Sequence, residues 1–275
     1  MNFQLTPYVK GILIVNLIVF ALANLLPTQE LNGSEVNIIV AFLGYHYPKS
    51  DFFQIFQPIT YMFTHESFRH IFSNMFALVI FGPMLENVLG SKRFFTLYMI
   101  CGLGGGALYG LTNYYEMHTM EIDAANFITD TTPENLTYFF EHHAENILQY
   151  NPDINTFVLD DYPTHFENHP EVQEQAISYV RQLTLLNFDT PMIGASGAIF
   201  GILFTFAFLF PNLRLMLLFP PIPIKAKYLV GGYILFEIYE LVQNNPGDNV
   251  AHLAHLGGVL FAYFLMKKWK YMSYQ

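Results

Sequence analysis

Apolar stretches of bilayer length alternate with polar breaks along this chain. A spanning helix needs about 20 mostly apolar residues, with roughly 17–25 tolerated. Six stretches read as spans: Tyr8–Leu26, His70–Leu89, Phe94–Tyr115, Met192–Phe210, Tyr228–Val242 and Val250–Met266. The first has one charge, Lys10, at its mouth. No small-x-small cleavage site follows it before Pro27, so it reads as a retained helix rather than a leader. The fifth is the weakest, being short and carrying Glu237 and Glu240. The pattern predicts an all-α membrane bundle of six helices with no internal repeat.

Composition supports this. Hydrophobic residues make up 53% of the 275 and charged residues 12%, against roughly 25% charged in a soluble domain. That apolar content excludes a disordered chain. A net charge of -10 with 12 Lys+Arg excludes a basic nucleic-acid binder, and the single Cys101 excludes a disulfide scaffold. Charge placement then orients the helices. With the N-terminus in the cytoplasm, the inner ends and loops hold Lys10, Lys92, Arg93, Arg214, Lys225, Lys227, Lys267, Lys268 and Lys270. Only Lys49, Arg69 and Arg181 fall outside. This asymmetry predicts both termini inside.

Two long connections lie on the outer side. Residues 27–69 are rich in aromatics and read as a partly membrane-embedded loop. Residues 116–191 separate the membrane domain into 1–115 and 192–275. From Glu116 to Asp189 there are fourteen Asp+Glu and one basic residue, Arg181, a net charge of -13. Thr132-Pro133-Glu134 and His169-Pro170-Glu171 look like helix starts. The insert reads as a small, partly helical, acidic extracytoplasmic domain, with a solvated spacer as the alternative.

Polar groups inside a span are costly, and so mark functional positions by default. Ser196 lies among Gly194, Gly197 and Gly201, which strip side chains from around its hydroxyl. Gly197 and Gly201 form one small-residue helix face, Gly258 and Ala262 another. A serine hydroxyl is a poor nucleophile without a base, and His255 serves if the fourth and sixth helices touch. The alternative is two glycine-rich helices, each with a buried polar group. His70 and Asn74 share a face at i, i+4. They either donate to a developing oxyanion or simply tie helices together. In the predicted topology all four groups lie in the outer half of their spans, at one depth that water can reach from outside.

Three motifs carry a resemblance: Gly194-Ala195-Ser196-Gly197 in the fourth span, Ala254-His255-Leu256-Gly257-Gly258 in the sixth, and His70-Ile71-Phe72-Ser73-Asn74 in the second. Together they resemble the rhomboid intramembrane serine proteases, over all six spans and most of the chain outside the insert. The resemblance implies a rhomboid-type serine endopeptidase that cuts peptide bonds in or beside transmembrane segments of other proteins. Ser196 is then the nucleophile and His255 the base, a dyad with no third acidic residue. His70, Asn74 and the Ser196 backbone N–H line the oxyanion hole. His65 matches a supporting histidine, and Glu86 and Gly90 a structural pair. Implied partners are transmembrane substrates and the lipid bilayer, with no cofactor, no metal and no nucleic acid. Phe56-Gln57 stands where many rhomboids carry Trp-Arg, which puts the loop's membrane anchoring in doubt. The insert exceeds the family core, and either restricts substrate access or binds an extracytoplasmic partner.

His252, about 60° round the helix from His255, reads as a supporting or packing histidine. A zinc membrane protease is the rival of different chemistry. His65 and His70 stand at i, i+5, about 140° apart, where a zinc helix needs i, i+4. His252 and His255, or Glu141-His142-His143, are metal-capable pairs with no third ligand at good spacing. An inactive rhomboid-like binding factor is the non-enzymatic alternative. With no clear targeting segment, the expected location is a multi-pass position in a bacterial plasma membrane.

Overall fold

Each of the six apolar stretches contains a helix in the computed structural model, which describes residues 4–31, 34–216, 221–243 and 251–270, although the fourth becomes helical only at Ser196. In chain order the main helices are α1 Pro7–Leu25, α2 Ile38–Leu43, α3 Phe68–Leu89, α4 Ser91–Thr129, α5 Pro133–His143, α6 Pro170–Asp189, α7 Ser196–Leu209, α8 Ala226–Gln243 and α9 His252–Lys268. Val250, the expected start of the sixth span, lies outside the described residues. Among the described residues three helices, α1, α3 and α4, are long and apolar enough to cross a bilayer by length and composition, and α7 is a shorter apolar helix. With 14 residues, α7 is about 21 Å long, short of the roughly 30 Å hydrocarbon core.

The bundle centres on α4, α7 and α9, with α3 against α7 and α1 against α3. Glycines decide how close these axes come. A Cβ on Gly258 would stand 1.8 Å from the Gly197 carbonyl oxygen, and one on Gly105 would stand 2.5 Å from that of Ala254. The expected small-residue faces of the fourth and sixth helices therefore do meet. Gly105, inside the run Gly104-Gly105-Gly106, draws in α4 as a third partner. At the other end of the bundle Glu86, 2% exposed, caps α1. Its carboxylate accepts from Tyr8 N at 3.2 Å, Val9 N at 3.1 Å and Ser91 Oγ at 2.7 Å, supplying acceptors that the first helical turn lacks.

The connection between α1 and α3 is packed. A hairpin of β1 Thr28–Leu31 and β2 Ser34–Asn37 leads into α2. The Asn37 side chain accepts from Ile39 N and Val40 N to cap α2. Gln57 is fully buried and makes its own anchor. It donates to Phe52 O at 2.8 Å, Phe42 O at 3.3 Å and Ala41 O at 3.4 Å, and accepts from His46 N at 3.3 Å. Hydrogen bonds within the loop thus hold the position where a Trp-Arg anchor is missing.

The third span does not stop at Tyr115. α4 continues unbroken to Thr129, because polarity marks where a helix leaves an apolar environment, not where its backbone ladder ends. Helices do start at Pro133 and Pro170, as the sequence predicts. Met120, Phe127, Leu136, Phe139, Phe140, Tyr162 and Val180 bury a second hydrophobic core, which a solvated spacer would not have. His143 Nε2 lies 2.8 Å from Asp123 Oδ2, and Lys49 Nζ donates to Glu121 Oε1 at 2.7 Å, tying the α1–α3 connection to the extended helix.

Candidate active site

The stretch before α7 is pinned before the helix begins. Tyr45 and Met192 exchange two backbone hydrogen bonds of 2.9 Å, and Gly194 N donates to Tyr61 O at 3.0 Å. Gly194 has φ +117, a value that favours glycine, and the chain then turns into α7 at Ser196. A side chain at Gly194 would also collide with His70, since a Cβ there would lie 2.6 Å from the ring Nε2. Gly194 therefore serves both the turn and the seating of His70 beside the serine.

Ser196 Oγ lies 2.7 Å from His255 Nε2. The bond joins α7 to α9 and depends on the close approach at Gly197 and Gly258. Gly201, one turn further, would place a Cβ 2.4 Å from Cys101 Sγ, extending the tight face to α4. Phe200 lies flat on the His255 ring, 4.4 Å between centroids and 8° between planes. It stands four residues after Ser196, so helical spacing was the signal for it.

His70 and Asn74 both sit on α3, one helical turn apart, and the His70 ring reaches Gly194 beside the serine. Asn74 is 5% exposed, and its Nδ2 is buried with no hydrogen-bond partner. An unpaired buried donor costs about 1–3 kcal/mol, so an acceptor arriving there would be stabilised. His65 packs edge-on to His70 at 4.9 Å and its Nε2 accepts weakly from Ala195 N at 3.5 Å. The first helical turn of α7 adds N–H groups without intrahelical acceptors. Ser196, His255, His70 and His65 therefore lie in one region, with Asn74 one turn along α3 from His70.

The far side of His255 is held from a different helix. Glu237 on α8, 6% exposed, accepts from His255 Nδ1 at 2.7 Å and from His252 Nδ1 at 2.6 Å through the same oxygen, Oε2. An acidic partner therefore does reach His255, and the His252–His255 pair does acquire a third potential metal ligand. Their ligand atoms lie within 4.8 Å of one another. Spacing could not show this, since the carboxylate comes from the preceding helix. The two nitrogen–oxygen separations are hydrogen-bond lengths. Ligands around a tetrahedral zinc would stand about 3.3 Å apart, so the cluster as arranged is a hydrogen-bond network. Glu240, which shares a helical face with Glu237, makes no contact with this cluster among the described residues.

Comparison with known proteins agrees with the residues. A family model described as Rhomboid domain matches residues 53–122 and 175–269. Rhomboid protein 1, mitochondrial, of Saccharomyces cerevisiae is 25% identical over 214 residues, covering 74% of this chain and 40% of the relative. RHOMBOID-like protein 12, mitochondrial, of Arabidopsis thaliana is 25% identical over 204 residues, covering 74% of this chain and 43% of the relative. The chain thus spans about two fifths of the length of these relatives. Both matched segments of the family model flank the insert and include its two ends.

Proposed function

Since this chain belongs to the rhomboid family and is embedded in a membrane, we propose that it is an intramembrane serine endopeptidase with Ser196 as nucleophile and His255 as general base. The observation that carries the proposal is the 2.7 Å contact of Ser196 Oγ with His255 Nε2, made between two helices that only glycine lets approach so closely.

The chemistry follows from that contact. Ser196 Oγ attacks the scissile carbonyl carbon while its proton passes to His255 Nε2. The carbonyl oxygen gathers negative charge. Asn74 Nδ2, the His70 ring N–H and the Ser196 backbone N–H donate to it. Collapse expels the amine, which takes the proton from Nε2 and leaves an ester on Ser196. Water, deprotonated by the same nitrogen, hydrolyses the ester and restores the serine. The unpaired Asn74 donor supports the oxyanion role. Gly194, Gly197, Gly201 and Gly258 support the site by making room for it.

The substrates are membrane proteins, cut in or beside a transmembrane segment. α7 is shorter than the bilayer core and starts at Ser196, which supports a site sunk below one face and open to water. We take the topology as six crossings with both termini cytoplasmic, on the strength of the basic residues, and residues 116–191 as an extracytoplasmic acidic unit able to engage a partner. Two membranes compete as its location, the bacterial plasma membrane expected from the sequence being one. The mitochondrial names of both relatives favour a mitochondrial membrane instead, and fractionation of the source cells separates the two.

Cleavage of a model transmembrane substrate by reconstituted protein tests the assignment. Ser196→Ala and His255→Ala should each lower kcat by at least about 10⁴-fold while leaving the thermal unfolding midpoint in place. A fully active Ser196→Ala protein would overturn it.

A further inference from the structure

An imidazole that accepts a proton at Nε2 must carry its own proton on Nδ1, and a bond at Nδ1 sets that tautomer. In this protein the Nδ1 partner is Glu237 Oε2, at 2.7 Å. The same oxygen lies 2.6 Å from His252 Nδ1, so a second imidazole fixes the carboxylate. Phe200, stacked at 4.4 Å, closes one face of the His255 ring. Rotation of that ring would therefore break bonds on both edges and a stack on its face. A carboxylate buried on an apolar helix is costly unless it is paired, and both of the neighbours named here are histidines of α9. The titratable groups around His255 are Glu237 from α8, His252 from α9 and His70 from α3.

We infer that Glu237 completes a Ser196–His255–Glu237 triad, as a positioning residue that orients His255 and stabilises its protonated form, with His252 holding the carboxylate in place. The inference rests on the serine-protease reading and deepens it, replacing the dyad by a triad. When Ser196 Oγ attacks, its proton moves to Nε2 and the imidazolium lies between the Glu237 carboxylate and the new oxyanion. The Nδ1 proton stays on Nδ1. The Nε2 proton then leaves with the amine, and Glu237 remains ionised throughout.

The test uses the full chain in lipid vesicles, comparing wild type with Glu237→Gln, Glu237→Asp, His252→Gln and Ser196→Ala. The measurements are kcat and KM on a transmembrane substrate, the rate of Ser196 phosphonylation by a fluorophosphonate, the unfolding midpoint, and the bound metal. Glu237→Gln should lower kcat and phosphonylation together by about 10²–10⁴-fold, with KM within about twofold and the midpoint retained. Glu237→Asp should recover at least about tenfold of that loss, and His252→Gln should cost about tenfold. Wild-type kcat and phosphonylation in Glu237→Gln, beside an inactive Ser196→Ala, would overturn this inference and leave the serine mechanism standing. An active Ser196→Ala would instead remove the mechanism itself. Loss of activity that only tracks unfolding, or stoichiometric zinc that disappears with activity in Glu237→Gln, would also overturn it.

Discussion

Gly258→Ala is the most demanding test of how the site is assembled. The added Cβ would lie 1.8 Å from Gly197 O, 2.8 Å from Gly197 C and 3.3 Å from its Cα. All three are backbone atoms, and none can rotate away. A carbon–oxygen contact is comfortable near about 3.3 Å, so α7 and α9 must separate by about 1.5 Å there. Gly197 is next to Ser196 and Gly258 is one turn beyond His255, so the separation falls on the 2.7 Å Ser196–His255 contact. Overpacking of this kind costs about 1–3 kcal/mol, and a misplacement of about 1 Å costs on the order of 10²-fold in rate. The expected outcome is a loss of about 10²-fold in kcat/KM with a modest fall in the unfolding midpoint, measured on reconstituted protein. Gly231→Ala is the control. A Cβ at Gly231, within helix α8, meets nothing within 4 Å, and should stabilise by about 0.4–1 kcal/mol with activity retained. Equal activity in the two variants would refute the idea that backbone contact at Gly258 sets the Ser196–His255 distance.

Asn74→Ala should lower kcat by about 10²-fold, less than Ser196→Ala, with little change in KM, because one oxyanion donor of several is lost. Glu86→Ala should destabilise the protein by about 2–3 kcal/mol, since it uncaps α1 and strands buried N–H groups; thermal unfolding in detergent checks this, and Glu86→Gln should recover part of it. Burial holds the His46 imidazole, in the connection between α1 and α3, below its usual value of 6.5. The folded state therefore resists protonation that the unfolded chain accepts. Its contribution is complete above pH 6.5 and is lost as pH falls from there toward the lowered value. The unfolding midpoint should drop over that acidic range, and His46→Gln should flatten the drop.

The apolar runs made the six helices legible, because lipid-length hydrophobicity is a strong local signal. Ser196, His255, His70 and Asn74 were legible because polar residues in such runs are rare and stand in recognisable company. What stayed hidden was non-local or outside the apolar signal. Tyr115 ended the apolar run, yet the α4 backbone continues for another fourteen residues to Thr129. Gln57 read as a lost anchor, and only packing shows its side chain bonding three carbonyls. Glu237 stood out as a charge in a weak span, but its link to His255 crosses from one helix to the next. Gly105 was visible within a glycine run, and its contact with Ala254 needed the fold.

The uninterrupted course of α4 bears on how the insert can be removed or exchanged. Gly105, against α9, and Phe127, in the second core, belong to one hydrogen-bonded rod, so no hinge marks where a cassette begins. Excision at residue 116 would discard Met120 and Phe127 along with their coverings, whereas excision after Thr129 would leave both as bare grease on a protruding stalk. A shortened version therefore needs its cut before Met120, and a chimera must splice helix to helix in phase.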